Sequence, residues 1–170
     1  PIPSPFAPPP TVETDPFFSY VAGLWHGPSY QDFSPSGLTL VPAGAATISN
    51  KQTAYGLSGS FYNPASINAN RLGTPASAIF NIGSLVNWTL EWSVYFETIN
   101  TTANTYQMHV TNTNFFTNTL NGPSRFVQNY LNAIQLAAPP VAGRWYACAI
   151  TFNGTTVRAY LNGVLMGSYG

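Results

Sequence analysis

Apolar and polar residues alternate one for one along Trp88–Glu97. Trp88, Leu90, Trp92, Val94 and Phe96 fall on one face, and Thr89, Glu91, Ser93, Tyr95 and Glu97 on the other. A period of two is the signature of a half-buried β-strand, because successive side chains point to opposite faces of the sheet. The same pattern recurs from Arg144 to Ser168. There Tyr146, Cys148, Ile150 and Phe152 share a face, as do Val157, Ala159 and Leu161. Asn153-Gly154 and Asn162-Gly163 punctuate this stretch. Asn-Gly favours a two-residue type I′ turn, which needs positive φ at both central positions. The pattern therefore predicts a three-stranded antiparallel meander: Arg144–Phe152, Thr155–Leu161 and Val164–Ser168.

Elsewhere the periodicity is shorter. Phe17–Trp25 reads as a first strand, Thr39–Val41, Ala45–Ser49 and Gly59–Tyr62 as short ones, and Tyr106–Val110, Phe115–Thr119 and Arg125–Tyr130 as members of a further meander. Breakers place His26–Gly37 and Asn63–Ala78 in loops. Ile79–Leu85 suits either a short helical turn or a loop, and Asn132–Val141 a loop in which Ile134 and Leu136 pair briefly. Nothing predicts a helix beyond a turn or two. Many short strands with closely spaced turns predict an all-β, antiparallel β-sandwich of jelly-roll type. Residues 1–16 hold seven of the 15 prolines and favour extended polyproline II. This segment reads as a disordered tail or as an extended arm lying on a neighbouring subunit, with Ile2 and Phe6 as apolar anchors favouring the arm. Residues 17–170 then form the domain.

Composition narrows the function classes. Charged residues make up 6% of the chain, five basic against five acidic, for a net charge of zero. The five cations are scattered, which argues against nucleic acid as a partner, since phosphate recognition needs clustered Lys and Arg. No apolar run reaches the roughly 18 residues of a membrane span, and the first residues lack the basic start and apolar run of a signal peptide. One cysteine, Cys148, rules out an internal disulfide and reads as a small core hydrophobe.

The stretch from Trp145 to Ser168, WYACAITFNGTTVRAYLNGVLMGS, resembles the meander of laminin-G-like domains in the concanavalin A-like lectin/glucanase superfamily. Ala46–Ser49, Gln52, Tyr55-Gly56 and Ser60–Tyr62 resemble the opening motif of virus-encoded members, especially those of tailed bacteriophages. Trp88–Phe96 resembles their central strand. The resemblance spans about Gly37 to Ser168 and implies a concanavalin A-like jelly roll. Members continue past the last of these strands. The resemblance therefore implies closing strands beyond Gly170, or closure by the N-terminal segment or a partner.

Several members of the superfamily hydrolyse glycosides, which requires two carboxyl groups about 5–9.5 Å apart. Glu91 and Glu97 share a face, but six residues of strand separate them by roughly 20 Å. The superfamily's hydrolase motif places further acids near the first, where this chain has Ser93 and Tyr95 or Phe96. No catalytic residue is expected. No metal site or cofactor is expected either, because the aspartates Asp15 and Asp32 lie outside the matched motifs and His26 and His109 stand alone. The sequons at Asn87, Asn100 and Asn153 read as chance in an Asn/Thr-rich chain. Tyr106, Phe115, Phe116 and Tyr130, set in or beside Asn/Thr-rich loops, are the candidate contacts for glycans or protein partners. Taken together, the resemblance, the low charge and the proline-rich segment lead to one expectation. It is a non-enzymatic structural protein of a phage-like virion, a capsid decoration protein or a tail-fibre or appendage subunit. Its partners would be other virion proteins and further copies of itself. The alternative is a carbohydrate-binding module recognising host-surface glycans.

Overall fold

The computed structural model describes residues 15–64, 70–80, 86–98 and 140–170, together with strands 104–109, 117–121, 125–128 and 133–135. The chain forms two compact units, residues 1–75 and 76–170. Twelve antiparallel strands and two single-turn 3-10 segments make up the described elements. The expected all-β architecture is therefore observed. The proline-rich segment with Ile2 and Phe6 lies outside the described residues.

The first unit contains two small antiparallel pairs. β1 (Val41–Ala43) pairs with β4 (Arg71–Gly73), and β2 (Thr47–Ser49) pairs with β3 (Ser60–Tyr62). The expected strand over Phe17–Trp25 is corrected here: Phe18–Tyr20 is a 3-10 turn. Asp15 causes the difference. Its carboxylate accepts the Phe17 N–H at 2.8 Å and its carbonyl accepts the Phe18 N–H at 3.1 Å. This local alternative to a ladder overrides the β-propensity of the aromatic run. β4 is a three-residue strand within a stretch expected to be loop.

The second unit is built on two four-stranded antiparallel sheets. One has the order β12-β11-β10-β5, from β12 (Val164–Tyr169), β11 (Val157–Leu161), β10 (Trp145–Phe152) and β5 (Trp88–Tyr95). The other runs β6 (Asn104–His109), β7 (Thr117–Asn121), β8 (Arg125–Gln128), β9 (Ala133–Gln135) in sequence order. β5 and β10 run in register over eight pairs, from Trp88↔Phe152 to Tyr95↔Trp145. Phe96, Tyr146, Cys148, Ile150, Val157 and Ala159 are buried in one cluster with Ile134 of β9, and Trp88, Trp92, Val94, Phe152, Leu161, Met166 and Tyr169 pack on it half-buried. Ile150 is 0% exposed. Gly167 lets β12 approach this core closely, since a Cβ there would stand 3.0 Å from Ile134 Cγ2. The Tyr146 hydroxyl closes one end, accepting from the Val141 N–H at 2.7 Å and donating to its carbonyl at 3.2 Å.

The two Asn-Gly turns differ. Asn162 and Gly163 have φ of 50° and 78° between the paired Leu161 and Val164, as a type I′ turn requires. Asn153-Gly154 instead sits in a four-residue loop, because β10 and β11 first pair at Phe152↔Val157. The Asn153 side-chain oxygen accepts from the Thr156 N–H at 2.9 Å, the Thr155 hydroxyl at 3.1 Å and the Thr155 N–H at 3.3 Å. That side chain closes a wider loop than two residues would make.

Candidate functional site

Residues that alternate with the core positions define the outer face of the β12-β11-β10-β5 sheet. Strand register arranges them in rows. At one end Tyr95 lies opposite Trp145, their rings 5.6 Å apart and tilted by 55°. The next row pairs Ser93 with Ala147. Then Glu91, Ala149, Tyr160 and Leu165 follow one another across four strands, and at the far end Thr89, Thr151, Arg158 and Ser168 do the same. Neighbouring strands are about 4.8 Å apart and rows about 7 Å apart.

The sizes along this face matter. Ala147 and Ala149 form a low floor in the middle of β10, bounded by the aromatic pair on one side and by Tyr160 and Glu91 on the others. Glu91, Ser93 and Ala147 are exposed, and Tyr95, Trp145, Ala149, Arg158 and Tyr160 are half-buried. An aromatic pair, small residues, hydroxyls and one charge of each sign thus share a single face. Flat rings beside a floor offer apolar stacking, and the flanking polar groups offer hydrogen bonds.

The other candidate groups have structural surroundings. Cys148 is 5% exposed, and burial pushes its thiol pKa up to about 12, so it is unreactive near neutrality. His26 stacks on Phe33 with centroids 4.3 Å apart. Asp32 is 4% exposed. Its Oδ1 accepts the Ser34 and Leu24 N–H groups at 2.8 and 2.9 Å, and its Oδ2 accepts the Ser36 hydroxyl and Leu38 N–H at 2.6 and 2.9 Å. Burial raises its pKa, but the bonds from Ser36, Leu24 and Ser34 outweigh this and hold it at about 2. Every acceptor direction is used within the chain, so this carboxylate ties a loop rather than binding a ligand. Among the described residues no three His, Cys, Asp or Glu side chains gather as a metal site would need.

Of the residues expected to contact glycans or partners, Tyr106 lies on β6 with its side chain outside the described residues, as Phe115, Phe116 and Tyr130 are altogether. Glu91 is on the outer face, while Glu97 is exposed beyond the end of β5. Tyr95, Trp145 and Tyr160 were not among the expected site residues. A signal was present: each is an aromatic residue on the polar phase of an alternating strand.

No curated protein and no solved structure matches this chain. A family model does: Laminin_G_3, of the concanavalin A-like lectin/glucanases superfamily, matches residues 73–170, more than half of the chain. The match takes in both four-stranded sheets and the whole outer face just described, and the chain therefore belongs to the concanavalin A-like lectin/glucanases superfamily.

Proposed function

We propose that this chain is a non-enzymatic carbohydrate-binding domain whose ligand face is the outer face of the β12-β11-β10-β5 sheet. The observation that carries this reading is the Tyr95–Trp145 pair standing at the edge of the Ala147–Ala149 floor. A sugar ring presents C–H groups to an aromatic face and hydroxyls to its surroundings, and this face supplies partners for both. Membership of the superfamily raises the expectation of sugar binding without specifying a ligand. The non-enzymatic part rests on carboxylate supply. Residues 76–170 contain only two acidic side chains, Glu91 on β5 and Glu97 beyond its end, six positions apart.

The test is a glycan array probed with the full chain, followed by titration of the best ligand into Trp145→Ala. We expect at least tenfold weaker binding by the variant with its melting behaviour retained. Absence of binding to any glycan, or unchanged binding by Trp145→Ala, would refute the proposal. A second reading places the domain on a phage-like virion, as a decoration protein or a tail-fibre or appendage subunit. It is favoured by the Ala46–Tyr62 motif and by a surface with few charges. Affinity of the chain for other virion proteins, measured by co-purification from particles, would test that setting.

A further inference from the structure

We infer that this face selects acidic glycans, with Arg158 receiving the carboxylate of a sugar acid. The inference rests on the proposed carbohydrate-binding role and specifies its ligand class. Arg158 lies on the outer face of β11, half-buried. Its guanidinium makes no hydrogen bond or ion pair among the described residues. The alkyl stem of a half-buried Arg lies along the sheet while its charged head reaches solvent, and Arg offers a planar fork that matches a carboxylate bidentately.

The surroundings suit such a ligand. Arg158 is in register with Thr151 on one side and Ser168 on the other, with Thr89 beyond Thr151. Three hydroxyls therefore share its row and can serve the remaining oxygens of the ring. Tyr160, two residues along the same strand, supplies a ring face one row nearer the alanine floor. Glu91 sets the direction of binding. It lies in the Tyr160 row but two strands from β11, across Ala149, roughly 10 Å from that strand by strand spacing. A sugar acid must keep its carboxylate on the β11–β12 side, because the β5 side would place it against Glu91. The second unit contributes two other arginines, Arg125 and Arg144. Arg144 is exposed next to Trp145 at the opposite end of the rows, and Arg125 begins β8 in the other sheet.

The experiment compares matched probes on the full chain: galacturonate oligomers against galactose oligomers, and sialyllactose against lactose. We expect at least tenfold tighter binding of the acidic member of a pair, with the preference shrinking as salt is raised. Arg158→Gln should abolish the preference, bringing the acidic probe down to the affinity of its neutral partner, and Arg158→Lys should retain only part of it. Should Arg158→Gln fail to fold, Arg144→Gln decides: the preference should survive that substitution, and its loss there would move the carboxylate to the opposite end of the rows and overturn the role of Arg158. Equal affinity for acidic and neutral probes, both lost in Trp145→Ala, would overturn the role of Arg158 and leave the carbohydrate-binding face standing. A preference that survives Arg158→Gln would also overturn it. Binding of no probe at all would overturn both readings.

Discussion

The two compact units are held together by different physics. After Pro75 the described buried residues are Phe96, Ile134, Tyr146, Cys148, Ile150, Val157 and Ala159. Before it, the described buried residues with side chains are Ala46, Asp32, Ser34 and Asn70, while Phe17, Tyr20, Val41 and Tyr55 are all more than half exposed. The second unit gains its stability from apolar area removed from water. The first relies on satisfied polar groups: the Asp32 carboxylate ties Leu24, Ser34, Ser36 and Leu38, and the Asn70 side chain accepts the Ala45 N–H at 2.8 Å. A hydrophobic core tolerates changes of pH that leave it uncharged, whereas a carboxylate knot holds only while its acceptor is ionised.

The largest expected effect is on the apolar side. Ile150→Ala should cost about 3–5 kcal/mol, through lost burial and a cavity between β10 and its neighbours. Denaturant unfolding would measure it, and amide exchange should quicken most in residues 88–96 and 145–161. A cost below about 1 kcal/mol would show that the sandwich does not depend on that centre.

Asp32→Ala comes next, at about 3 kcal/mol, because three N–H groups and a hydroxyl lose their acceptor together. Exchange should rise across residues 22–38. Quickening centred on the sandwich strands instead would erase the contrast between the units.

The pH response should be smaller and opposite in the two units. Asp32 has a folded pKa of about 2 against an ordinary 3.8, so its contribution is complete above pH 4 and is lost as pH falls through 2. Cys148 is raised from 9.0 to about 12 by burial. A raised acid works the other way: its contribution is complete below pH 9 and is lost as pH climbs toward 12. Burial also raises Tyr169, which adds to the alkaline limb. Exchange followed from pH 2 to 11 should loosen residues 22–38 first in acid and the β10–β11 pair first in base. Cys148→Ala should make the alkaline limb shallower, leaving the share of Tyr169, and leave the acid one unchanged.

The smallest effect sharpens the comparison within the first unit. The Trp25 indole N–H donates to the Leu38 carbonyl at 2.8 Å, across the same loop that Asp32 ties. Trp25→Phe should cost about 1 kcal/mol, the net worth of a neutral hydrogen bond. A cost matching that of Asp32→Ala would make the indole, not the carboxylate, the main tie.

Legibility follows the same division. On β5, β10 and β11 the face of every core residue could be read from alternation, because a half-buried strand writes its orientation into a period of two. Phe96, Tyr146, Ile150 and Val157 are buried as that reading requires, while Trp88, Leu90, Trp92, Phe152 and Leu161 are half-buried at its margin. The first unit offered no such period. Its 3-10 turn at Phe18–Tyr20 is set by Asp15, and Asp32 looked like any loop aspartate, since its donors come from positions 24, 34, 36 and 38. The candidate face was legible strand by strand, as aromatic residues on polar phases, but not as a group.

Local sequence, then, determined which segments are strands in the sandwich, which of their faces turns inward, and that Asn162-Gly163 reverses the chain. Those properties depend on neighbours two to four residues away. The tertiary structure alone decided that β5 lies against β10 some fifty residues later, so that Tyr95 meets Trp145 and Glu91, Ala149 and Tyr160 line up in one row. It also decided that Asp32 is buried with its donors around it. Pairings at such separation leave no local period, because loop closure and packing select them only once the whole sheet is assembled.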